Sequence, residues 1–137
     1  MASGATLATV FSACGGSPTS PSGMASMLGV LAGRFTGSGV SVNVAGSALT
    51  DVGSAVLVQS IAGVFLLTRT SASAFTALDA VCTHQGCTIT GADGATFVCP
   101  CHGSRYNRSG QVVGGPAPAS LRQYPTTFTD GVVTIAI

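Results

Sequence analysis

Val40, Val42 and Val44 alternate with Ser41 and Asn43, a period of two that puts one face of a strand in a core and the other toward solvent. Two unbroken apolar runs follow, Val56-Leu57-Val58 and Val64-Phe65-Leu66-Leu67. The residues between them, Ser60-Ile61-Ala62-Gly63, read as a hairpin turn. Further β-prone stretches lie at 75–81, 95–98, 126–128 and 132–137, with Asp93-Gly94 and Asp130-Gly131 as tight turns. Short strands at this spacing predict an all-β domain over residues 40–137, an antiparallel sandwich or barrel. Phe65, Leu66, Phe75 and Leu78 are its expected core. One helix is predicted, over 24–32, weakened by Gly29 in its interior.

Ahead of the domain the pattern dissolves. Residues 12–23, Ser-Ala-Cys-Gly-Gly-Ser-Pro-Thr-Ser-Pro-Ser-Gly, offer a core almost nothing and read as a linker. The expected organisation is a leader remnant over 1–13, a flexible tether over 14–39 and the domain from 40. Small residues just before Cys14 resemble the end of a bacterial lipoprotein signal, although the positive n-region is missing. Cys14 is therefore the candidate for lipidation.

At 137 residues the chain has room for one core. Charged residues make up 7%, against about 25% in an ordinary soluble domain. The five cations are all Arg (34, 69, 105, 108, 122), the four anions all Asp, and the net charge is +1. A nucleic-acid groove needs clustered Lys and Arg, so that class of partner is excluded. No stretch supplies the ~20 unbroken apolar residues of a spanning helix. Arg105 and Arg108 are expected on solvated surface. Asn107-Arg108-Ser109 fits a glycosylation sequon and is read as incidental.

The chemistry is concentrated in two patches, Cys82-Thr83-His84-Gln85-Gly86-Cys87 and Cys99-Pro100-Cys101-His102-Gly103-Ser104, which hold both histidines and four of the five cysteines. Each patch offers one Cys and one His at chelating spacing, Cys82 with His84 and Cys99 with His102. Two thiolates and two imidazoles can bind zinc tetrahedrally or hold an iron–sulfur cluster. A zinc finger more usually groups its cysteines in one arm and its histidines in the other.

The two patches, extended through Arg105 and Tyr106, resemble the cluster-binding loops of the Rieske iron–sulfur proteins. Gly114-Gly115-Pro116-Ala117-Pro118 resembles the proline loop that covers the cluster in that family. The resemblance implies a small cluster-binding lobe on a β base and one [2Fe–2S] cluster per chain. It implies Cys82 and Cys99 on one iron and His84 and His102 on the other. It further implies a disulfide between Cys87 and Cys101, the mark of the high-potential branch, which agrees with an oxidising compartment. Ser104 and Tyr106 match the residues that hydrogen-bond a bridging sulfide and a ligand thiolate, here that of Cys82. Gly86 and Gly103 are expected to let loop amides face the sulfurs.

A centre with two neutral imidazoles is less anionic than a four-thiolate one and accepts an electron more readily. Rieske potentials span about −150 to +300 mV, against about −400 mV for plant-type clusters. The implied function is one-electron transfer, by an exported or lipid-anchored carrier on the outer face of a bacterial membrane. Its partners would be a cytochrome and a quinol-linked donor. The alternative is the iron–sulfur subunit of a larger complex, of cytochrome bc type or like an arsenite oxidase small subunit. Gln85, where bc-type subunits usually have Leu, favours the carrier.

Overall fold

The computed structural model describes residues 26–83 and 86–137, and every regular element among them is a strand. A single extended segment carries β1 (Ser26–Met27), β2 (Gly29–Ala32) and β3 (Arg34–Phe35) in succession. Then come β4 (Gly39–Asn43), β5 (Ala55–Ser60), β6 (Gly63–Arg69) and β7 (Phe75–Asp79). In the lobe the two Cys/His loops alternate with β8 (Gly91–Asp93), β9 (Thr96–Val98), β10 (Arg105–Tyr106) and β11 (Val112–Gly114), and the chain closes with β12 (Gln123–Tyr124), β13 (Thr126–Thr129) and β14 (Val132–Ala136).

These strands form three sheets, ordered β1-β8-β9-β10-β11, β12-β7-β6-β5-β2 and β13-β14-β4-β3. The second is the middle layer. Val56, Val58, Phe65, Leu67 and Ala77 pack with Val40, Val42, Val133 and Ile135 of the third sheet. Leu57, Leu66 and Leu78, on the opposite face, pack with Phe97, Tyr106, Cys82 and Cys99. Burial on both faces explains why 64–67 is an unbroken apolar run where a one-sided strand would alternate. Phe65, Leu66, Phe75 and Leu78 are all buried, as expected. The hairpin turns at Ile61–Ala62, and Asp130 with Gly131 takes positive φ, 51° and 77°, as a tight two-residue turn requires.

The N-terminal part differs from the expectation. The described residues of the predicted helix 24–32 are strand except Leu28, and the expected tether over 14–39 contains paired backbone from Ser26 onward. β1 pairs with β8, β2 runs parallel to β5, and β3 pairs with β4, so one segment meets all three sheets. The β2–β5 register is also the one parallel pair among the described strands. Residues 1–25, with Cys14 and the leader, lie outside the described residues.

Candidate metal centre

The two loops fold alike. In the first, the Cys82 N–H donates to the Cys87 carbonyl (2.7 Å) and the Gly86 N–H to the Cys82 carbonyl (3.0 Å). In the second, the Cys99 N–H donates to the Ser104 carbonyl (2.8 Å) and the Gly103 N–H to the Cys99 carbonyl (3.0 Å). Each turn closes on a glycine with positive φ, 76° at Gly86 and 74° at Gly103, a conformation that costs other residues dearly. The repeated pattern buries one thiol at the root of each loop: Cys82 and Cys99 are each 2% exposed.

Those two thiols are in hydrogen-bonding contact, and the Cys99 sulfur also accepts the backbone N–H groups of Cys101 and His102. Burial and the Cys82 thiol raise the pKa of Cys99, against the lowering effect of those amides. Cys87 and Cys101 are joined by a disulfide with Cα atoms 6.5 Å apart, tying one loop to the other. His102 is exposed at the crest of the second loop. His84 and Gln85 fall outside the described residues, and among the described ones no three His, Cys, Asp or Glu side chains form a metal site.

Tyr106, fully buried, stands behind the first loop. Its Oη lies 3.2 Å from Cys82 Sγ and accepts the Thr83 N–H at 3.1 Å. Burial and the neighbouring Cys82 raise the phenol's pKa, so it remains a proton donor. Thr83 Oγ1 lies 3.1 Å from the same phenol and donates to the Ala119 carbonyl at 2.6 Å. Sequence reasoning passed over Thr83, although its place next to Cys82 was the available signal. Ser104 is also fully buried, and its Oγ accepts the Ala117 N–H at 3.1 Å. Its own hydrogen has no acceptor among the described residues. A buried phenol at one of two thiols that touch each other fits an anionic sulfur centre.

The proline loop is seated by that Ala117–Ser104 bond and by Gly115. A Cβ on Gly115 would lie 2.5 Å from Ser104 Cα and 2.9 Å from the Gly103 carbonyl oxygen, at a φ of +81°. Gly115→Ala is therefore expected to lower stability by about 1–3 kcal/mol from backbone strain alone, and to lift the loop off Ser104. A urea midpoint unchanged from wild type would show that the loop is not anchored there.

Arg105 stays at the surface, as expected, while Arg108 departs from it. Arg105 pairs with Asp93 (3.1 Å), while the Arg108 guanidinium lies 4.6 Å from the Phe97 ring centroid.

Comparison with known proteins agrees with this geometry. The cytochrome b6-f complex iron-sulfur subunit of Chlorobaculum tepidum is 40% identical over 63 residues, covering 45% of this chain and 35% of that protein. Subunit 2 of the same name from Synechocystis sp. is 54% identical over 54 residues, covering 39% and 30% respectively. The chain thus spans about a third of the length of these curated relatives. Among solved structures, the cyanobacterial plasma membrane Rieske protein PetC3 from Synechocystis PCC 6803 superposes with a TM-score of 0.54 at 26% identity. That match covers 61% of this chain and 86% of the other. The family model described as the Rieske [2Fe-2S] domain matches residues 41–125, well over half the chain, and with the paired loops and their disulfide in place the chain belongs to the Rieske [2Fe-2S] family.

Proposed function

We propose that this protein is a one-electron carrier of the high-potential Rieske type, exported or lipid-anchored at Cys14, with Cys82, Cys99, His84 and His102 as the cluster ligands. The observation that carries the proposal is the buried Tyr106 phenol, its Oη 3.2 Å from Cys82 Sγ, with the buried Ser104 hydroxyl on the second loop. When bound, a [2Fe–2S] cluster takes up and returns a single electron. Cys82 and Cys99 supply soft thiolates from the lobe core, and the histidine ligand at 102 is at the surface, where a partner can approach. Tyr106 and Ser104 donate hydrogen bonds that strengthen as negative charge accumulates, which raises the potential. The disulfide holds the two loops at a fixed spacing. A cytochrome acceptor and a quinol-linked donor fit a carrier of this potential.

A second reading, a subunit of a larger oxidoreductase, is favoured by the names of the relatives, which are cytochrome b6-f complex subunits. Pull-down from host membranes with the oxidised holoprotein separates the two: stoichiometric recovery of a cytochrome complex supports the subunit, and transient, salt-washed partners support the carrier.

The potential itself tests the site. Tyr106→Phe and Ser104→Ala are each expected to keep the cluster and lower its potential by about 40 mV per kcal/mol of lost preference for the reduced state, from 59 mV per tenfold for one electron. Protein-film voltammetry reads this directly. A rise in either variant would mean that the hydroxyls do not face the cluster.

A further inference from the structure

Arg108 is a cation without an anion. Its guanidinium stacks on Phe97 with Cζ 4.6 Å from the ring centroid, and one nitrogen donates to the Gly94 carbonyl at 2.8 Å. Nη1 is buried and has no hydrogen-bond partner among the described residues. Among the described residues no carboxylate lies within ion-pairing distance of it, and nearby Asp93 is engaged with Arg105 (3.1 Å). Asp93, Arg105 and Arg108 therefore leave a net charge of +1 on this flank of the lobe. Half-burial disfavours the charged form and lowers the Arg108 pKa, yet a guanidinium stays protonated at any physiological pH. Holding such a group against a ring costs desolvation that an exposed arginine would avoid.

Phe97 connects this charge to the site. It is fully buried in the apolar cluster that contains Cys82, Cys99 and Tyr106, and it pairs with Tyr106 across β9 and β10. Cys99 follows two residues later, about 7 Å along an extended chain. Phe97 thus carries the guanidinium on its ring and shares a buried apolar cluster with both thiols, and such surroundings screen a charge far less than water does.

Resting on the proposed cluster, we infer that Arg108 is a potential-setting residue: its unpaired, half-buried charge, held over Phe97, stabilises the reduced centre from the side of the lobe. Reduction adds one negative charge to the centre, so a fixed cation nearby favours that state by Coulomb attraction alone, with no bond made or broken. Arg105 cannot play the same part while Asp93 neutralises it.

Potentiometric titration of the holoprotein tests this, with the EPR spectrum recorded alongside to show that the cluster environment is intact. Arg108→Gln and Arg108→Met should each lower the reduced-to-oxidised ratio at a given potential about fivefold, a downward shift of about 40 mV at 59 mV per tenfold. Arg108→Lys should restore most of it, and most of the shift should persist in high salt, which screens a half-buried charge much less than an exposed one. The double variant Arg105→Gln with Asp93→Asn, neutral overall, should leave the potential in place. A potential unmoved by the neutral variants overturns the inference. So does a fall that lysine fails to restore, which would assign the effect to packing on Phe97. Loss of the cluster in both neutral variants but not in the lysine one would also overturn it, making Arg108 a structural clamp. A wild-type protein that binds no redox-active iron would instead remove the functional proposal beneath it.

Discussion

Cys99→Ser should purify without iron, colourless, its content falling from the two irons of a [2Fe–2S] centre to none. The thiol it removes is one of two buried at the loop roots, in contact with Cys82 and held by the amides of Cys101 and His102. A serine hydroxyl is a harder, far less acidic donor and does not replace a thiolate on an iron–sulfur cluster. The base should survive, since Val40, Val42, Val133 and Ile135 form a separate cluster that does not include Cys99. Iron analysis with far-ultraviolet circular dichroism checks both halves, and two irons retained in Cys99→Ser would mean that another side chain holds the metal. The same thiol fixes two pH trends. Ligation needs the thiolate, and burial raises the Cys99 pKa, so cluster assembly should slow as pH falls. In the cluster-free chain the native state holds this proton longer than the unfolded one. Stability should therefore drop as pH rises beyond the ordinary thiol value of about 8.5.

The paired substitution Cys87→Ala with Cys101→Ala should leave a protein that takes up its cluster and then loses it at least about tenfold faster. Each loop has its own two closing hydrogen bonds, so each can still fold. What disappears is the covalent link between them, which spans a sequence separation of 14 residues. A cross-link closing a loop of that size is worth about 3 kcal/mol of chain entropy, released here into the part of the lobe that must keep four ligands in register. The base sheets, distant from the link, should melt nearly as before. Absorbance decay under a mild chelator measures the retention time. A decay rate equal to wild type would show that the loops are held by the lobe core alone.

The site was more legible in the sequence than the frame around it. The loop strings are local: Cys, His and Gly at fixed short spacings specify a turn whose bonds close within six residues, so the pattern survives without knowledge of the rest. The Tyr106–Cys82 contact, 24 residues apart, was legible only through the family resemblance. Segment 26–35 was misjudged for a physical reason. Its glycines looked like linker or a weakened helix, whereas Gly33 is small because two neighbours crowd it. A Cβ there would meet Val40 Cγ1 at 2.5 Å and Val58 Cγ1 at 2.8 Å. The strand character of β1 and β2 comes from pairing with residues 27 to 66 positions away, beyond any short window of sequence. Arg108 was hidden likewise, since nothing in Asn-Arg-Ser announces a ring waiting on β9.

The segment 26–35 also governs how strain travels through the molecule. Only Leu28 separates β1 from β2, and only Gly33 separates β2 from β3. Leu28 and Gly33 themselves donate to the Thr90 and Gln59 carbonyls, at 2.9 and 2.7 Å. The segment thus has no slack residue at which lobe and base can swing apart. A pull arriving from the N-terminal side reaches the lobe first, at β1, and peels its two-residue antiparallel pairing one rung at a time. It then meets the four-residue parallel register of β2 with β5, twice as many rungs as β1 offers. The metal-bearing end is the fuse, and the sheet behind it is the brake.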